Sequence, residues 1–302
     1  MSAISIKKLE KTYQNGTHAL KGVDLEVPEG DFFALLGANG AGKTTLIGIL
    51  TGVVNKTSGE TKVFGIDLDK DAPRARKMIG VVPQEMNFNM FEKVQDIIVS
   101  QAGYFGIERT VALRDSEDIL KRLELWEKRN VQSRTLSGGM KRRLMIARAL
   151  IHKPKLLILD EPTASVDVEL RHGMWDYLRE LNKSGTTILL TTHYLEEVEQ
   201  MCRQAAIIKT GDIIKNESVK NLLGLLEVET YIVHVEKVLQ LEKLSEFKPK
   251  LVDDTTFEVD INKKIKLNQF ISHLSNVGMA VTDIRPKGNR LEKLFLNILK
   301  QN

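Results

Sequence analysis

The chain has a single cysteine, Cys202, so it forms no internal disulfide and suits a reducing compartment. That thiol stands beside Met201 in a helical pattern and reads as structural. No apolar run approaches the roughly 18 residues that a membrane-spanning helix needs. The opening stretch MSAISIKKLEKTY lacks the apolar core of a secretory signal. An excess of one charge is missing too: 44 basic and 40 acidic side chains leave a net +4, which by itself is no nucleic-acid footprint. The length of 302 residues suits about two domains.

Against these absences stands LLGANGAGKTTL, residues 35 to 46, which matches G-x-x-x-x-G-K-[ST] through Gly37, Gly42, Lys43 and Thr44. The motif follows the apolar run Phe32–Leu36 and precedes a helical pattern, the strand, loop and helix context that a phosphate loop needs. Gly37, Gly40 and Gly42 let the backbone turn tightly and aim N–H groups at a polyphosphate, and the helix starting near Lys43 adds its positive end. Lys43 supplies a point charge for the β and γ phosphates, and the Thr44 hydroxyl a ligand for Mg²⁺.

Upstream, Ile4 and Ile6, then Val23, Leu25 and Val27, alternate with polar residues as half-buried antiparallel strands do, with a hairpin signal at Asn15-Gly16. Tyr13, at the end of the first strand, either stacks on an adenine ring or packs the strand end. Short strands are expected at 61–64 and 79–82, the second closing at Pro83-Gln84. From 85 to 150 the pattern is helical, with Val94, Ile97, Ile98 and Ala102 on one face and Ile119, Leu120 and Leu123 on another. Ahead of those helices MNFNMF, residues 86 to 91, is an unusually apolar loop that either meets a partner or fills the base of the helical segment.

Met140, Leu144, Ala147 and Ile151 form a helical stripe that starts at the Ser137-Gly138-Gly139 turn, an anion-binding geometry. Lys141, Arg142 and Arg143 read as a solvated face, because no aromatic interleaves them as nucleic-acid binding would require. The strand 156–159 is continuously apolar, as in the middle of a parallel sheet, and ends in Asp160-Glu161 at the edge where ligands of open α/β sheets bind. A second such strand, 187–192, ends in His193 at an equivalent edge.

Together these pieces resemble the ATP-binding cassette (ABC) ATPases over about residues 3 to 225. By that resemblance Tyr13 is the adenine-stacking residue, and Gly37, Ala38, Asn39, Gly40, Ala41, Gly42, Lys43, Thr44 and Thr45 form the Walker A loop. Gln84 is the Q-loop glutamine and residues 136 to 140 are the signature. Asp160 is the Walker B aspartate, Glu161 the catalytic base, residues 164 to 167 the D-loop and His193 the switch histidine. The resemblance implies catalysis by Glu161, His193, Lys43 and Gln84, with Mg²⁺ held through Thr44, Gln84 and Asp160, partly through water. It implies a homodimer sandwiching two ATP, in which Ser137, Gly138 and Gly139 serve the partner's site in trans. Met140 replaces the commonest Gln of the signature, and Ser165 stands where Gly or Ala is usual. The first departure, with TTHYLEEVE and ARALIHKPKLLILDEPTASVD, is similar to the subgroup feeding ABC-2-type export permeases, including drug and polysaccharide exporters.

The expected architecture is an α/β P-loop NTPase domain over 1–225, with an antiparallel β flank and a helical subdomain near 85–150. A small α+β domain over 226–302 follows: strands at 230–235, 251–252, 257–261 and 280–284, helices at 238–247, 267–277 and 291–299, a ferredoxin-like order. The expected function is ATP hydrolysis that drives a separate ABC-2-type permease, at the inner face of the cell membrane, on the cytoplasmic side, without nucleic acid. A soluble ABC ATPase acting on nucleic acid or the ribosome is the alternative. That class usually shows tandem cassettes, long coiled coils or zinc cysteines, and this chain has one cassette and one cysteine.

Overall fold

The computed structural model describes residues 1–163, 168–226, 228–238, 241–262, 265 and 267–300. The chain divides into two compact units, Met1–Ser218 and Val219–Asn302.

In the first unit, β1 (Ser2–Thr12) and β2 (His18–Pro28) pair antiparallel, with Ile4 opposite Val27 and Ile6 opposite Leu25 on the buried face. The turn between them places Gly16 at φ 83°. β3 (Phe32–Leu36), buried throughout, feeds α1 (Lys43–Thr51). β4 (Ser58–Val63) and β5 (Ile66–Asp67) complete a sheet in the order β2-β1-β4-β5. α2 (Ala72–Lys77), N-capped by Asp71, leads into β6 (Ile79–Val82).

The helical segment is α3 (Val94–Tyr104), α4 (Arg109–Arg122) and α5 (Gly138–Leu150). α3 buries Val94, Ile97, Ile98 and Ala102 and packs on α4 and α5, so its apolar stripe faces its neighbours. Then come β7 (Leu156–Asp160), α6 (Val168–Lys183), β8 (Thr187–Thr191), α7 (Leu195–Met201), β9 (Gln204–Lys209) and β10 (Asp212–Ser218). The main sheet runs β10-β9-β3-β8-β7-β6, parallel except for β10 on β9. β7 and β8 are buried at every position, which accounts for their unbroken apolar runs. Their C-terminal ends lie side by side with that of β3, Asp160 opposite Thr191 and Thr191 opposite Leu35. Functional side chains are therefore gathered along one edge.

The second unit opens with α8 (Val219–Leu223) and continues through β11 (Val228–Val235), β12 (Lys250–Asp253), β13 (Thr256–Asn262), α9 (Leu267–Asn276), β14 (Val281–Pro286) and α10 (Arg290–Lys300). Its sheet is antiparallel throughout, in the order β12-β13-β11-β14, over a core that includes Val233, Phe257, Phe270 and Leu274. The helix expected over 238–247 is instead a 3₁₀ segment, Leu241–Phe247, kinked at Leu244. The left-handed Lys248 and then Pro249 stop it after Phe247. α8 packs against α10, which places the division between the units at 218/219, ahead of the position the sequence pattern gives. Among the described residues no helix is long and apolar enough to cross a membrane.

Candidate functional site

The loop between β3 and α1 is shaped by glycines that no other residue replaces without a clash. Gly42 has φ 114°, and a Cβ there would come within 2.7 Å of the Ala19 carbonyl oxygen; at Gly37 it would meet the Ile208 carbonyl oxygen at 2.6 Å. α1 begins directly at Lys43 with no side-chain cap and no acid in its first turn. Its first N–H groups are thus available to an anion, and the helix dipole favours one. Lys43 Nζ is buried and donates to the carbonyls of Gly37 at 2.7 Å and Ala38 at 3.1 Å. Burial holds its pKa below the usual lysine value, while Glu161 and Asp160 pull the other way.

At the sheet edge Asp160 is buried and its Oδ1 accepts a hydrogen bond from Thr191 Oγ1. Glu161 follows at φ 50°, a left-handed conformation that a non-glycine residue keeps only when its surroundings hold it. Its N–H donates to the Thr191 carbonyl at 2.9 Å, continuing the ladder past the strand. Two groups from other elements meet its Oε2: Gln84 Nε2 donates at 3.2 Å, and His193 Nδ1 lies at 3.3 Å.

Asn39, Gly40, Gly42, Lys43, Thr44, Thr45, Gln84, Asp160 and Glu161 line one cleft of about 470 Å³. Thr17, His18, Ala19, Lys21 and Thr210 form the rest of its wall. Sequence reasoning misses these five. Lys21 and Ala19 lie on β2 and Thr210 in the β9–β10 turn, and only the folded sheets bring them there. The left-handed Thr210 in a Thr-Gly turn was the one local signal. Among the described residues no cluster of three or more His, Cys, Asp or Glu side chains is built to hold a metal. One buried carboxylate with a hydroxyl and an amide, beside a phosphate cradle, fits Mg²⁺, which takes few protein ligands and completes its shell with phosphate and water.

Tyr13, 37% exposed as a residue, holds its hydroxyl 3.1 Å from Thr45 Oγ1 and carries Lys11 Nζ 4.9 Å from the ring centre. Its hydroxyl thus joins the strand end to the first turn of α1. Ser137, Gly138 and Gly139 are not in the cleft: Ser137 is exposed and caps α5 by accepting from Met140 N–H at 3.3 Å. Residues 164 to 167, the D-loop by resemblance, lie outside the described residues.

One reading is corrected. Arg142 and Arg143 are buried at 6% and 9% exposure, so the basic triplet is not a solvated face; only Lys141 is partly open. α5 is enclosed on most sides, and both guanidinium groups have partners. Arg143 Nη1 pairs with Glu124 at 2.5 Å and with the Leu123 carbonyl at 3.3 Å, and Arg142 Nη1 donates to the Pro83 carbonyl at 3.0 Å. Burial lowers the Arg142 pKa from its usual value, opposed by the charges of Glu161 and Asp160. In the apolar loop, Met86 and Phe88 are half-buried while Met90 and Phe91 are exposed, so it both fills and presents. Cys202 is buried, its thiol pushed well up by burial, as a structural thiol should be.

The ABC transporter sequence profile matches residues 20–164. The chain is 39% identical over 232 residues to the Nod factor export ATP-binding protein I of Cupriavidus pinatubonensis, covering 76% of this chain and 71% of that protein. It is 30% identical over 305 residues to the linearmycin resistance ATP-binding protein LnrL of Bacillus subtilis, covering 98% of this chain and 97% of that one. Among solved structures, it superposes on cbiO1 of Clostridium perfringens, part of an ABC transporter complex, with TM-score 0.68 and 30% identity over 74% of this chain and 91% of the other. A dimeric ATP-binding cassette in a post-hydrolysis state with ADP and Pi gives TM-score 0.66 and 27% identity over 72% and 98%.

Proposed function

The chain belongs to the ABC transporter family of ATPases, and from that premise we propose that it is the ATP-hydrolysing subunit of an export transporter whose membrane-spanning part is a separate ABC-2-type permease. The observation that carries the catalytic reading is the convergence of Gln84 and His193 on one oxygen of Glu161, beside a phosphate cradle and Asp160. The export reading rests on relatives named for export and drug resistance. Burial of Arg142 and Arg143 removes those two side chains as nucleic-acid contacts.

In the proposed reaction the β and γ phosphates of ATP lie against the amides of residues 37 to 45, and Lys43 Nζ leaves its two carbonyl acceptors for phosphate oxygens. Thr44, Asp160 and Gln84 would hold Mg²⁺, partly through water, and it would supply neutralising charge for the phosphates. Glu161 accepts the proton of a water aligned with the γ phosphorus, whose oxygen bonds to phosphorus as the bond to the β–γ bridging oxygen breaks, giving ADP and phosphate. His193 contacts the γ-phosphate. A second copy brings its Ser137 turn to close the site, so the working form is a homodimer attached to the inner face of the cell membrane. Residues 1–218 carry this chemistry, and 219–302 form an accessory domain.

The test is ATPase turnover by the purified chain, alone and reconstituted with the product of a neighbouring reading frame that encodes about six apolar spans. Stimulation by that permease is expected. Co-purification with ribosomes or DNA, with no response to the permease, overturns the transport reading.

A further inference from the structure

Glu197, on α7, is wholly buried. Its Oε1 accepts from Thr163 Oγ1 and from Trp175 Nε1 at 3.3 Å, while Oε2, equally buried, has no hydrogen-bond partner among the described residues. An acid so placed is expensive, since two neutral donors on one oxygen do not replace the water it has lost. Packing does not account for it: Leu195, Val198 and Met201 already bury the inner face of α7. What the carboxylate does uniquely is join three segments. It stands on the helix that follows His193, it holds the residue that follows Glu161-Pro162, and it reaches Trp175 on α6.

Those attachments bear on the two groups that meet at Glu161 Oε2. On the sheet side, the Glu161 N–H donates to Thr191, two residues ahead of His193, which ties the strand ends together. On the far side, the Thr163–Glu197 bond ties the same two segments again, beyond Glu161 and beyond His193. Glu161 sits between these ties at φ 50°, and such a conformation persists only where it is held from both ends. We infer that Glu197 is a positioning residue that fixes the Glu161 carboxylate and the His193 ring against each other. The inference rests on the reading of those two groups as the hydrolytic pair.

The test uses the full-length chain, with kcat for ATP hydrolysis, Kd for ATP and thermal stability measured in parallel. Glu197→Ala should lower kcat by about tenfold or more, as a small misplacement of reacting groups does, with ATP affinity unchanged because the phosphate cradle is separate. Glu197→Gln keeps an acceptor oxygen for Thr163 and Trp175 and should restore most of the rate. Thr163→Val should fall as Glu197→Ala does, and the double variant no further, since both remove one link. Overturning results are a wild-type kcat in Glu197→Ala, or equal losses of rate and affinity that Glu197→Gln does not rescue, which would make Glu197 a plain core residue. If Glu197→Ala does not fold, Thr163→Val decides, and its wild-type rate would overturn the inference. An active wild type with an insensitive Glu197 refutes this inference alone; a wild type without ATPase activity refutes the functional reading beneath it.

Discussion

Gln84 Nε2 lies 3.2 Å from Glu161 Oε2, so the oxygen that would take a proton from water is already engaged by the glutamine from the end of β6. In the proposed reaction Gln84 would turn its amide oxygen to Mg²⁺, which would release Glu161 Oε2 for water.

Glu161→Gln removes the base but leaves Lys43, Thr44 and Asp160. It should bind ATP normally and hydrolyse at least about 100-fold more slowly. With ATP persisting, an ATP-dependent dimer should appear on size-exclusion chromatography. Ser137→Arg in that background should abolish it, because a bulky cation fills the exposed turn that caps α5. A double variant that still dimerises with ATP would remove the trans assignment.

Arg142 ties α5, whose N-terminus is the Ser137 turn, to Pro83 just ahead of Gln84. Arg142→Met keeps the stem and loses the bond, leaving the Pro83 carbonyl short of its donor. Stability should fall by roughly 1–3 kcal/mol, read from urea midpoints, and ATPase rate should fall further than the unfolded fraction explains. A rate that tracks stability alone would leave Arg142 a packing residue.

Much of this was legible in the chain. Unbroken apolar runs marked β7 and β8 because both faces of a parallel strand are covered, and the alternation of β1 and β2 gave their buried faces directly. Asp160, Glu161 and His193 were readable because they follow apolar strands, Lys43 because it completes the phosphate-loop motif, and Gln84 through the family resemblance. Arg142 and Arg143 were not, since a charge triplet looks like surface until the helix proves enclosed. Thr17, His18 and Thr210 were hidden for a different reason: their place on the cleft wall depends on how two sheets meet, and local pattern carries no record of that. Glu197 looked like one more acid on an amphipathic helix.

His152 offers a pH test. Its ring stacks on Phe105 at 3.7 Å and its Nε2 lies 3.0 Å from the Ile79 carbonyl oxygen, which only accepts, so Nε2 carries the proton of the neutral ring. Nδ1 is buried without a partner among the described residues, and burial lowers the pKa. The unfolded chain binds the extra proton first. The contribution of His152 is therefore complete above about pH 6.5 and is lost as pH falls from there through the folded value. Urea midpoints at pH 7.5 and 5.5 should diverge less in His152→Gln than in the wild type; equal divergence would put the acid sensitivity elsewhere.

The second unit should be dispensable for nucleotide binding, since every cleft residue precedes Val219. A chain cut after Ser218 is the cleaner truncation, because a cut at 225 strands α8 without α10. ATP affinity should stay within about tenfold, or 1.4 kcal/mol. A larger loss measured by titration would join the tail to the site.

The loop after Gln84 supplies the partner test. Phe91 is 67% exposed, with the Arg134 guanidinium 5.4 Å from its ring centre, whereas Phe88 is half-buried. An exposed aromatic and Met90 on the loop that follows Gln84 would meet a cytoplasmic helix of the proposed permease, apolar face to apolar groove. Phe91→Asp should leave the stability of the isolated chain within about 0.5 kcal/mol and its basal ATPase unchanged, yet weaken co-sedimentation with permease-containing vesicles and their stimulation of turnover. Phe88→Asp should destabilise the fold, because it puts a charge at a half-buried position. If Phe91→Asp unfolds the chain, the ring belongs to the core. If it binds and responds to the permease as the wild type does, the docking surface lies elsewhere on this unit.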